Sequence, residues 1–103
     1  MQLDIKQLTN NAEQAESFLK LLANKNRLMI LCTLLQGELS VGELNNLVPL
    51  AQSALSQHLA GLRKSGLVST RREAQTIYYR VDDPRVAAIL TQLYQIFCQG
   101  GES

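Results

Sequence analysis

The stretch SVGELNNLVPLAQSALSQHLAGLRKSGLV, residues 40–68, constrains the fold more than any other part of the chain. Ser40 followed three residues later by Glu43 has the form of a capping box, in which each side chain satisfies a free backbone N–H at a helix start. That first helix is short, because Pro49 follows and disfavours helical backbone in the residue before it. A second helix then runs from about Ser53 to Lys64. Leu55, Leu59 and Leu62 recur at helical spacing and give it one apolar stripe. It stops at Ser65-Gly66, where a glycine suits the left-handed position just past a helix end. Two short helices joined by a three- or four-residue turn, over 40–65, make a helix-turn-helix. The other side of the second helix carries Ser53, Ser56, Gln57, Arg63 and Lys64. The question is whether that polar side is merely solvated or meets a partner.

The flanks narrow the fold class. LVSTRREAQTIYYRV alternates and is rich in β-branched and aromatic residues, with a polar interruption at 72–75. It reads as a two-stranded hairpin over 67–82, and a hairpin placed directly after a helix-turn-helix is a wing. Upstream, NNAEQAESFLKLLAN predicts a helix over about 11–22 with Ala15, Phe18, Leu19 and Leu22 on one side. Asn24 can cap the next helix, KNRLMILCTLLQ, which is apolar nearly all round and so central and buried. Gly37 is its stop. Downstream, Asp83 is placed to cap a last helix with Pro84 at its first position, where a missing N–H costs nothing. That helix, over about 84–98, has a broad apolar side of Val86, Ile89, Leu90, Leu93, Ile96 and Phe97, and Gly100-Gly101 ends it. The order gives a single mainly α domain with a β-hairpin wing: a winged helix-turn-helix.

Charge distribution then bears on function. The 103 residues carry a net charge of only +1. Residues 51–80, however, hold Arg63, Lys64, Arg71, Arg72 and Arg80 against Glu73 alone, a local excess of +4. Positive charge gathered in one block is the footprint of a nucleic-acid face. In a helix-turn-helix the second helix lies in the major groove, with its first residues on base edges. Here these are Gln52, Ser53, Ser56 and Gln57, with His58 next in line. Gln can pair with adenine in bidentate fashion, and Ser hydroxyls suit bases or phosphates. Arg63 and Lys64 are placed for phosphates, which position a protein without carrying sequence. Arg71, Arg72, Gln75 and Thr76 put charge and donors on the wing. One recognition helix covers only a half-site, so useful specificity calls for a symmetric dimer. The spare apolar surfaces are on the terminal helices, with Phe18, Leu22, Leu90, Leu93, Tyr94 and Phe97 as candidate interface residues. No apolar run spans a bilayer, and the start MQLDIKQLTNN lacks the features of a signal peptide, so a cytoplasmic location is expected. In that compartment Cys32 and Cys98 are not expected to form a permanent structural disulfide. No nucleophile–base pair, phosphate loop or carboxylate pair suggests an enzyme or a cofactor.

Residues 15–98, and SALSQHLAGLRKSGLV above all, resemble the ArsR/SmtB family of dimeric winged-helix repressors. EAQTIYY together with Cys32 and Cys98 is similar to the branch of that family that senses persulfides or oxidants. The resemblance implies binding to an inverted-repeat operator and release when the inducer arrives. Many relatives sense metals through cysteines at positions that are Ser40 and Gly42 here, and neither binds a soft metal. Others use Asp and His pairs on the last helix. This chain has Asp82 and Asp83 there but no histidine beyond His58, so no metal site is expected. Two departures stand out. Ala51 occupies the usual serine position before the recognition helix, and the wing turn has Ala74-Gln75 without a glycine.

Spacing alone assigns the cysteines no site, and a free cysteine is often a small buried hydrophobe. The resemblance makes Cys32 and Cys98 a sensing pair, in which one thiolate attacks a persulfide or peroxide and the other resolves the product. Three other readings remain open: a DNA-binding regulator that displaces a silencing protein and has structural cysteines, a metal-responsive repressor, and a protein-interaction module.

Overall fold

A computed structural model describes residues 2–99. Helix α1 (Ile5–Leu22) and helix α2 (Lys25–Leu34) are followed by a two-residue strand β1 (Leu39–Ser40) and helix α3 (Val41–Leu47). Helix α4 (Gln52–Lys64), strands β2 (Val68–Glu73) and β3 (Thr76–Val81), and helix α5 (Pro84–Tyr94) complete the order. A π-helical turn, Gln95–Gln99, continues α5. The expected end of the last helix at Gly100-Gly101 lies outside the described residues.

Local chemistry accounts for most boundaries. Ser40 Oγ accepts from the Glu43 N–H at 3.1 Å, and Glu43 Oε1 accepts from the Ser40 N–H at 2.9 Å, completing the capping box. Asn24 Oδ1 accepts from the N–H groups of Asn26 and Arg27 to start α2. Asp83 Oδ1 accepts from the Arg85 N–H to start α5, with Pro84 in the first turn. Helix α4 ends in a Schellman arrangement. Gly66, at φ +79°, lets its N–H reach the Arg63 carbonyl while the Leu67 N–H reaches that of Leu62, both at 3.0 Å. The buried side chains of Leu62 and Leu67 accompany the turn.

The structure differs from the sequence expectation in three places. Helix α1 begins at Ile5 rather than near residue 11, because Asp4 caps it through the Gln7 N–H. Strand β1 pairs antiparallel with β3, Leu39 opposite Tyr79, and makes the hairpin a three-stranded sheet in the order β1-β3-β2. The last helix loses its regular α-helical spacing after Tyr94.

The core is aliphatic. Ile30, Leu31 and Leu34 of α2 meet Leu44 of α3, the Leu55–Leu59–Leu62 stripe of α4, and Val86 and Leu90 of α5. Among the described residues no polar side chain is fully buried. Helix α1 is the exception to this packing: only Leu22 of its 18 residues is buried. No described helix is long and apolar enough to cross a membrane.

Candidate nucleic-acid interface and thiol groove

Helix α4 is held by its leucines and so has one orientation. With Leu55, Leu59 and Leu62 sealed inside, Gln52, Ser53, Ser56 and Gln57 are all exposed at its N-terminal end, and His58 is half-buried. Arg63 and Lys64 are exposed in its last turn. The four-residue connection 48–51 separates α3 from α4. Ala51 caps α4 with extended backbone and no side-chain hydrogen bond. The first N–H groups of α4 are therefore left for water or for an anion, and the helix dipole favours the latter.

The wing is a regular ladder, from Val68 opposite Val81 to Glu73 opposite Thr76. Its turn is Ala74-Gln75, with Ala74 at φ +56°. Arg72, Gln75 and Thr76 are exposed at its tip. Arg71 is exposed but not free. Its Nε and Nη2 donate to Glu38 Oε1 at 2.9 and 2.7 Å, its Nη1 donates to Glu73 Oε2 at 2.7 Å, and its guanidinium lies 4.8 Å from the Tyr78 ring centre. Glu38 Oε2 also lies 3.7 Å from Arg80 Nη1, and Arg80 pairs with Asp82 at 3.8 Å. The hydrogen bonds from Arg71, more than any other contact, hold the Glu38 carboxyl below its ordinary range. The local excess of +4 is thus offset by a carboxylate from outside the block. Among the described residues, Arg63, Lys64 and Arg72 are the cations of that block with no ion pair.

The proposed interface residues divide. Leu22 and Leu90 do not face a partner: they are 3% and 0% exposed, within the chain's own core. Phe18 is half-buried, its ring 4.6 Å below the Arg85 guanidinium of α5. Leu93 is half-buried, whereas Tyr94 and Phe97 are open. Leu3, Ile5, Leu8 and Leu19, on or beside α1, are also large exposed apolar side chains. Leu19 lies on the apolar side expected for this helix, whereas Leu3, Ile5 and Leu8 fall before the expected start near residue 11, though Ile5 and Leu8 share the i, i+3 spacing of a helix face.

Cys32 and Cys98 are both free, and they line one groove of about 500 Å³ between α2, the end of α3 and the far end of α5. Cys98 is exposed and Cys32 half-buried. Burial pushes the Cys32 thiol up from its ordinary pKa, and the nearby Cys98 sulfur adds to that shift. Among the described residues, no group of three or more His, Cys, Asp or Glu side chains is placed to hold a metal ion.

A capped short helix, a four-residue turn, a second helix with an exposed polar end and a β-ribbon beside it define a winged helix-turn-helix DNA-binding domain. The profile of the arsR family of bacterial regulatory proteins matches residues 24–70. The transcriptional activator HlyU of Vibrio cholerae is 47% identical over 100 residues, covering 97% of this chain and 93% of that protein. The biofilm growth-associated repressor of Agrobacterium fabrum is 45% identical over 96 residues, covering 93% and 82%. The crystal structure of the transcriptional repressor BigR from Xylella fastidiosa superposes with a TM-score of 0.86 at 41% identity, covering 93% and 98%. The chain belongs to the ArsR family of DNA-binding transcriptional regulators.

Proposed function

We propose that the protein binds an inverted-repeat operator as a symmetric dimer and releases it when Cys98 and Cys32 become bridged by a reactive sulfur species or an oxidant. The observation that carries the switch is the meeting of both thiols in one groove, although they are distant in sequence. Gln52, Ser53, Ser56 and Gln57 would read base edges, with His58 beside them. Arg63, Lys64 and Arg72 would contact phosphates, and Gln75 and Thr76 would approach the flanking backbone. The dimer rests on α1, an 18-residue helix with one buried residue, and on the open Tyr94 and Phe97. Apolar side chains left exposed on two terminal helices favour burial against a second copy.

Cys98 is the exposed thiol and therefore the attacking one. With a persulfide RSSH, its thiolate attacks the outer sulfur, an S–S bond forms to Cys98, and RS⁻ leaves. The Cys32 thiolate then attacks the Cys98 sulfur, and HS⁻ leaves as the disulfide forms. With a hydroperoxide ROOH the Cys98 thiolate takes the terminal oxygen as the O–O bond breaks, Cys98 becomes a sulfenic acid and RO⁻ leaves, protonated to ROH. Cys32 then attacks the sulfenic sulfur and the hydroxide leaves as water. Either bridge ties the end of α5 to α2. Because α5 and α1 supply the dimer surface, the bridge shifts the spacing of the two recognition helices. A coupling of about 1–3 kcal/mol between the two dimer shapes changes affinity some 5–150-fold.

The test is a titration of a fluorescent fragment of the protein's own upstream promoter, reduced, after an organic persulfide and after peroxide. Binding in the wild type should weaken on treatment and stay unchanged in Cys32→Ser and Cys98→Ser. Equal binding in all states would show that neither cysteine carries the signal and that the inducer acts elsewhere. The name of the Vibrio cholerae relative, an activator, favours a second reading in which the protein displaces another silencing protein. Transcription from the regulated promoter in a deletion strain separates the two, rising for a repressor and falling for an anti-silencer.

A further inference from the structure

The groove that holds the thiols has a composition that bears on which oxidant reaches them. Its volume of about 500 Å³ lies in the size class of small-molecule sites, roughly 300–1,000 Å³. Leu28 and Met29 of α2, Leu47 at the end of α3, and Leu93 and Phe97 from the opposite side make most of its wall. None of its lining residues is a carboxylate, a lysine or an arginine. Leu47 stands at its mouth, 63% exposed, and Phe97, 77% exposed in the single chain, lines the side shared with the proposed dimer surface. A charged carrier of sulfur would bring its ionic groups against this wall with nothing to pair them, which is unfavourable. A hydrocarbon chain loses no hydration there and gains burial.

We propose that the groove binds the uncharged hydrocarbon part of the inducing oxidant, an alkyl persulfide or an alkyl hydroperoxide, and delivers its reactive end to Cys98. This rests on the thiol switch of the preceding section and adds what that switch selects. The alkyl persulfide gives up its outer sulfur to the Cys98 thiolate and leaves as the alkyl thiolate. The alkyl hydroperoxide gives up its terminal oxygen, takes one proton and leaves as the alcohol. Cys32 resolves either product, with HS⁻ or water leaving.

The experiment follows thiol consumption in the reduced full chain by intact mass. The oxidants are ethyl, butyl and hexyl persulfides, the matching hydroperoxides, and two controls, glutathione persulfide and hydrogen peroxide. Every rate is divided by that of a short cysteine peptide, which removes intrinsic reactivity. The normalised rate should rise about twofold per added methylene, less than complete burial would give because the groove is open on one side. The unreactive 1-hexanol should slow the hexyl reactions and leave the glutathione persulfide reaction unchanged. Leu47→Gln should flatten the chain-length series, and an unchanged far-ultraviolet circular dichroism spectrum and Tm in that variant report an intact fold. The series with the larger normalised rate identifies the oxidant class. A flat series without protection by hexanol overturns the groove proposal and leaves the switch standing. Failure of every oxidant to bridge the thiols overturns the switch, and this proposal with it.

Discussion

Glu38 holds back the wing. Its carboxylate takes two hydrogen bonds from Arg71 and faces Arg80, so two of the wing's three arginines are engaged by one acidic side chain. Glu38→Gln keeps the shape and removes the charge. Arg71 retains Glu73 at 2.7 Å and Arg80 retains the weaker contact to Asp82 at 3.8 Å. Arg80 is therefore the residue released from Glu38, with only the 3.8 Å contact to Asp82 left to compete with a phosphate, which gives about one new phosphate contact per wing. Each phosphate neutralised adds about 0.9 to the slope of log affinity against log salt. Two wings in a dimer add about 1.8. Between 50 and 200 mM salt the variant should thus lose roughly tenfold more affinity than the wild type, starting from tighter binding at low salt. Because phosphates carry no sequence, the gain should appear on a random duplex as well as on the operator. Fluorescence anisotropy of both duplexes at four salt concentrations, with reduced protein, measures it. If Glu38 instead only braces the wing, Glu38→Gln will bind both duplexes more weakly with an unchanged slope, and that result refutes the argument.

Three further outcomes follow from the same geometry. Ala51→Ser supplies the side-chain cap that α4 lacks and should add about 1 kcal/mol of stability, raising Tm by roughly 4–8 °C at fixed protein concentration; an unchanged Tm would mean the first N–H groups are already satisfied. Leu19→Glu, on the open side of α1, should raise the dimer dissociation constant about tenfold or more, and an undisturbed dimer in sedimentation velocity would remove α1 from the interface. In Cys98→Ser the alkylation of Cys32 should show a pH midpoint below that of the wild type, since the neighbouring thiolate is gone, yet still above the ordinary thiol range, since burial is the larger cause. The folded chain then binds this proton more tightly than the unfolded one, so the thiol's contribution to stability is present below the ordinary thiol pKa and lost as pH rises through the raised one. A midpoint at or below the usual range of about 8.5 would contradict the burial of Cys32.

What was legible in the sequence obeys short-range rules. The Ser40–Glu43 box, the Asn24 and Asp83 caps, the Gly66 stop and the α4 leucine stripe are patterns within four residues, where residue type and spacing decide the geometry. What was not legible is long-range. Strand β1 is two residues long and exists because β3 passes beside it, so no alternation within Leu39–Ser40 could announce it. The Glu38–Arg71 contact joins residues 33 apart, and without it the wing's charge reads as more available than it is. Leu22 and Leu90 share their helices' apolar sides with exposed neighbours, and periodicity cannot tell which side chain on a broad apolar face meets its own core. The same limit applies to the cysteines. Neither has a local partner, and a pair brought together by the packing of α5 on α2 leaves no spacing signature. The residues that would read DNA are therefore fixed by local pattern, while those that would decide when it is read depend on how distant helices meet. A substitution that preserves every helix yet shifts α5 along α2 should leave operator binding in the reduced protein nearly intact and abolish its release.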